Sequence, residues 1–215
     1  MLPDLWRMVD RRVRATTRPG ETTDPSGELA FILSGIQHHL EADRWFHAAA
    51  PFTEGERLTA DALRAGGMNA PKIALFAHVA WELSLDGALV RREGLENTLQ
   101  ILREGFDVAG GELAEAAVSL HHFDRTGRPF AERRAFDAGL QGLLAELTRG
   151  RLIAAYQSGA GIARRIDGIR VRLGFAGMME TERQRLGEVL YTIPPHADAA
   201  LKTLLATAVH IPTER

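Results

Sequence analysis

Two histidine–carboxylate ladders run along this chain. His39, Asp43 and His47 are spaced i, i+4, i+8, and so are His78, Glu82 and Asp86. Four-residue spacing puts successive side chains on one face of a helix, with a rise of about 6 Å per step. A histidine and a carboxylate so placed can share one cation. Eight residues rise about 12 Å, so neither whole ladder can surround a single ion with ligand bonds near 2.1 Å. Two facing helices that each contribute one His–carboxylate pair would complete a site, as in metal centres built inside helix bundles. Nitrogen and oxygen donors without sulfur suit Mn, Fe, Zn or Mg and do not choose among them. Chance would give about a quarter of one such ladder in a chain of this composition, and two are present. A structural His–acid network is the competing reading, and the residues alone leave both open.

The second ladder lies in a harsh setting. From Ile73 to Val90 the only polar side chains are His78, Glu82, Ser84 and Asp86, with no Lys or Arg among them. A helix apolar nearly all round is buried, and a buried carboxylate without a partner is costly. Compensation for Glu82 and Asp86 must come from an Arg on another helix, a raised pKa or a bound cation. The stretch is too polar at 78, 82 and 86 for a membrane span. The first ladder flanks an apolar stripe of Leu29, Ile32, Leu33, Ile36 and Leu40. The expectation is that these two helices pack face to face, with His39, Asp43, His78 and Glu82 around one ion position.

The elements that would hold these residues read as helical almost throughout, since apolar residues recur at three- and four-residue spacing. Helices are predicted over 2–15, 28–49, 53–66, 72–92, 95–108, 111–123, 129–148, 151–173, 180–191 and 196–209. Thr53-x-x-Glu56 resembles a capping box opening the third. Thr16 to Gly27 reads as a loop, and Gly66-Gly67, Gly110-Gly111, Gly127-Arg128-Pro129 and Pro194-Pro195 punctuate the rest. The fold class is all-α, a multi-helix bundle in one domain over 1–215. The 215 residues contain no cysteine, which removes disulfides, thiol nucleophiles and thiolate metal sites. A formal net charge of -2 argues against a nucleic-acid-coating or polybasic membrane protein. Met1-Leu2-Pro3-Asp4 lacks the apolar run of a signal peptide, so a cytoplasmic location is expected.

Gly35-Ile36-Gln37-His38-His39-Leu40-Glu41-Ala42-Asp43 resembles the Gly-Ile-x-x-His-x-x-x-Asp segment of the acyl-carrier-protein phosphodiesterase family. Leu2-Pro3-Asp4-Leu5 is similar to that family's Leu-x-Asp segment, and Tyr156 to Leu173, with Arg164-Arg165, to its C-terminal arginine-containing segment. The resemblance implies an all-α fold of the HD-like metallohydrolase type, a divalent metal (typically manganese), and hydrolysis of the phosphodiester that joins phosphopantetheine to a carrier-protein serine. Asp4 would join His39, Asp43, His78 and Glu82 as a metal ligand. The chain departs from the pattern in two ways: it has no His-Asp dipeptide, and it begins at the Leu-x-Asp stretch, without the family's preceding histidine-bearing segment.

The expected function is therefore that of a metal-dependent phosphoric-ester hydrolase. Asp86 or His47 would orient the attacking water or act as general base, and Arg164 or Arg165 would offset phosphate charge. The partners expected are a phosphate-ester substrate and an acidic carrier protein, with no nucleic acid and no membrane. The alternative is a non-catalytic helical protein that keeps the metal or the buried network and binds a partner. His121-His122-Phe123-Asp124 is a weaker metal candidate at a helix end. Gly159-Ala160-Gly161 is no dinucleotide fingerprint, because no strand precedes it. Ser34 and Ser158 lack a His and an acid at telling positions.

Overall fold

The computed structural model describes residues 2–16, 27–68, 71–109 and 111–208. Among the described residues the secondary structure is helical and no strand occurs. Most of the predicted loop before Gly27, Gly110, and His210 with Glu214, a third His–acid pair at i, i+4 spacing in the sequence, lie outside them. The contacts divide the chain into two compact units: Met1–Arg44 with Leu99–Arg149, and Trp45–Thr98 with Gly150–Arg215.

In the first unit, α1 (Leu2–Val9) packs on α8 (Phe130–Thr148). α2 (Gly27–Ala48) belongs to this unit up to Arg44, and α5 (Leu95–Ala109) belongs to it from Leu99. Its core includes Leu5, Trp6, Ile32, Ile36, Val118 and Phe136. α1 stops well before the expected Ala15. Asp10 accepts the backbone N–H of Arg12 at 2.9 Å and its guanidinium at 2.7 Å, which turns the chain. The same guanidinium lowers the Asp10 carboxyl to about 2. The predicted 111–123 helix is α6 (Glu112–Val118) followed by a π-helical turn, Ser119–Phe123, and the short α7 (Asp124–Thr126).

In the second unit, α4 (Ile73–Glu93) is the central element. α3 (Ala50–Ala65), α9 (Arg151–Ala155), α10 (Gly159–Arg172) and α12 (Pro194–Ala208) all pack on it, and α11 (Glu180–Leu190) packs on α3 and α10. Phe52, Leu63, Phe76, Trp81, Ile162, Ile166, Leu190 and Ile193 form the core. By length and composition alone, α4 is the one described helix able to cross a membrane, and half of its apolar stretch is buried inside the protein. The predicted 151–173 helix breaks at Tyr156–Ser158, where the Ser158 hydroxyl accepts the Gly161 N–H at 3.1 Å and caps α10. α12 starts at Pro194, earlier than expected, because a first-turn proline lacks only an N–H that would be orphaned there anyway.

Candidate metal centre

α3 begins at Ala50 with Pro51 in its first turn, so Thr53 lies inside the helix and is not its cap. The Thr53 hydroxyl donates to the Ala50 carbonyl at 3.1 Å. That correction frees Glu56 from the capping role its spacing suggested. Beside it, Gly55 meets the indole of Trp81 on α4: a Cβ there would sit 1.9 Å from Trp81 Cε2. Glycine thus lets α3 and α4 approach closely, and Glu56 reaches His78.

His78 Nδ1 lies 2.6 Å from Glu56 Oε1 and its Nε2 lies 3.3 Å from Glu82 Oε1. Glu82 Oε1 also accepts from His47 Nε2 at 3.0 Å. The imidazoles of His47 and His78 are 5.0 Å apart between centroids, and the buried Phe52 ring stands edge-on to both, at 4.6 Å and 5.4 Å. All four polar side chains are about one-third exposed, between 30% and 35%. The hydrogen bond and charge of Glu82, helped by Glu56, outweigh burial and raise His78 to about 9. At neutral pH its ring is an imidazolium between two carboxylates. Burial pushes Glu82 up, but the hydrogen bonds from His78 and His47 hold it below its ordinary value.

His47, His78 and Glu82 could hold a metal ion: one ligand atom from each lies within 4.8 Å of the others. Ligands on one ion with bonds near 2.1 Å stand about 3.0 to 3.4 Å apart. The two histidine contacts of Glu82 already have that separation. Glu56, on the far nitrogen of His78, is the carboxylate that typically fixes a ligand ring and makes it more basic. The donor set of two imidazoles and a carboxylate contains no sulfur and fits a borderline or hard divalent cation.

His39 and Asp43 belong to the first unit, where His39 Nε2 lies 3.0 Å from Asp4 Oδ2. Asp86 is exposed, so the burial argument made from the sequence holds only for Glu82. The reason is helical drift: residues four apart slip by about 40° per step, so Asp86 is turned about 80° from His78. Asp86 and Arg165 both act on Tyr156, whose hydroxyl is raised chiefly by burial, and Arg164 is exposed on α10. His121 and His122 are buried in the π-helical turn at 4% and 7% exposure, not placed at an exposed helix end. The sequence reading missed Glu56 as a site residue. Pro51, five residues upstream and a natural first-turn residue, was the available signal against the capping box.

No protein-family model, curated protein or solved structure matches this chain.

Proposed function

We propose that the second unit carries a divalent-cation site that serves hydrolysis of a phosphoric ester. The convergence of His47, His78 and Glu82 within 4.8 Å carries the cation part of this reading. The ester part rests on the resemblance of Gly35–Asp43 to the carrier-protein phosphodiesterase segment, and manganese and the HD-like fold type come with it. His47, His78 and Glu82 would hold the ion, and Glu56 would lock the His78 ring by taking its Nδ1 proton in a hydrogen bond. When bound, such an ion polarises a phosphoryl oxygen and lowers the pKa of water. Phe52 closes one side of the two imidazoles to solvent. Arg164 or Arg165 would offset the charge of the phosphate, and a phosphopantetheine-type ester on an acidic carrier protein is the substrate class implied.

One observation favours a second reading, a non-catalytic network. Both nitrogens of His78 already face carboxylates, so the group is satisfied by a proton without any ion. The test is metal content of the purified full-length chain, followed by hydrolysis of bis(p-nitrophenyl) phosphate with added manganese, for wild type and His78→Ala. Metal and turnover lost together in the variant support the hydrolase. Metal without turnover supports the non-catalytic reading, and neither metal nor turnover refutes the cation site.

A further inference from the structure

We propose that a cavity of about 400 Å³ on the second unit binds a small organic anion, a carboxylate or phosphate borne on an aromatic or bulky apolar body. It shares no residue with the histidine–carboxylate cluster. Met68, Pro71, Phe175 and Met178 supply apolar wall, and Arg170 and Arg185 supply two guanidinium groups. Its volume lies within the range of small-molecule pockets, which combine apolar lining with a few convergent polar groups.

The two arginines line the cavity, Arg170 anchored and Arg185 exposed, and neither forms an ion pair among the described residues. Arg170 Cζ lies 6.0 Å from the ring centroids of both Phe76 and Phe175. Its Nη2 donates to the Ala176 carbonyl at 3.3 Å, and its Nε is buried without an acceptor. No carboxylate pairs with it among the described residues. The Arg185 guanidinium lies flat against Gly67: a Cβ there would be 3.6 Å from Cζ and Nη1 and 3.7 Å from Nη2. Gly67 has φ +87°, so any other residue would be strained there. Arg185 likewise has no ion pair among the described residues. On the same helix, two residues away, Arg183 is neutralised by Asp167 and Glu180.

The apolar wall is fixed too. Asp167 accepts the Met178 N–H at 2.7 Å, and the Phe175 N–H donates to the Arg170 carbonyl at 3.0 Å. Glu182 also lines the cavity; its Oε2 accepts the Met179 N–H at 2.8 Å, and its single negative charge is outnumbered by the two guanidiniums. Two guanidiniums without an ion pair beside apolar surface match an oxyanion on an apolar body, because the planar fork pairs with carboxylate or phosphate oxygens in two-point fashion.

The experiment is calorimetric titration of the full-length chain, in EDTA to keep the histidine cluster free of metal, with four probes. These are naphthoate, naphthylphosphonate, naphthalene methanol and inorganic phosphate. Saturable binding of one naphthoate or naphthylphosphonate per chain is expected, weakened about tenfold or more in Arg185→Gln. The neutral alcohol and bare phosphate should each bind at least about tenfold more weakly than the naphthyl anions. Arg185 is exposed and unpaired, so its substitution leaves the fold intact, which the unfolding temperature checks. No saturable binding of either naphthyl anion at millimolar concentration, equal binding of the alcohol or of phosphate, or an unchanged Arg185→Gln would each overturn the proposal.

Discussion

Replacing Gly55 with alanine adds one methyl group at the closest approach of α3 and α4. The new Cβ would sit 1.9, 2.0 and 2.5 Å from three atoms of the Trp81 indole. Carbon atoms in packed interiors rest about 3.5 to 4.0 Å apart, so the ring or the helix must withdraw by about 1.5 Å. Trp81 is 1% exposed and has no open side to move into. Overpacking of this kind costs about 1 to 3 kcal/mol, and more where the neighbours cannot yield. Alanine returns about 1 kcal/mol of helix propensity over glycine. With a contact this far inside van der Waals distance the cost lies at the upper end, about 3 kcal/mol, and after that return a net loss of about 2 kcal/mol is expected. For a chain of this size that lowers the unfolding temperature by about 4 to 8 °C. Scanning calorimetry of wild type, Gly55→Ala and a control, Gly142→Ala, measures it. Gly142 has nothing within 4 Å of an added Cβ, so its substitution should leave stability level or slightly raised. The reasoning is refuted if Gly55→Ala melts with the wild type.

Three further outcomes follow from the same geometry. Glu56→Gln removes the charge behind the His78 ring, and cation affinity measured by titration should fall about 10- to 100-fold while the helical circular dichroism is kept. In the first unit, burial lowers the pKa of both His121 and His122, with Arg125 adding to the shift at the first and Arg128 at the second. Their folded pKa values lie below the unfolded value of about 6.5, so the stability they represent is present above that pH and is lost as pH falls through the folded values. Protection factors of the first unit, with the intrinsic pH dependence of amide exchange divided out, should fall on acidification below about pH 6.5, and a His121→Gln, His122→Gln variant should show a shallower slope over that interval. Ser158→Ala removes the side-chain cap of α10 and should cost about 1 kcal/mol in urea unfolding, a loss that Ser158→Asp should largely avoid.

The helical class and most helix positions were legible because apolar residues recur at the helical period and Gly–Gly and Pro signals fall between the segments. The breaks that escaped have local causes: the Asp10–Arg12 turn after α1, the Ser158 cap inside a run that reads as continuous helix, and the π-helical turn at Ser119–Phe123. At the site, His78 and Glu82 were legible as a pair because i, i+4 spacing is a property of one helix. Of their partners, His47 was expected at the site as a base and not as a ligand, and Glu56 was missed, because both reach the pair from other elements. The ladder spacing of His39 and His47 hid a rotation of about 80° between them. His39 faces Asp4 and His47 faces Glu82. A glycine that permits two helices to touch, such as Gly55, has no sequence signature apart from its neighbours.

The central claim is tested most directly by titrating metal-stripped, full-length chain with manganese or zinc. The variants to run beside wild type are His47→Ala, His78→Ala, Glu82→Gln and His39→Ala. The account predicts one ion per chain, loss of affinity by about 100-fold or more in each of the first three variants, and wild-type binding in His39→Ala. Absence of stoichiometric binding, or a loss confined to His39→Ala, would contradict it.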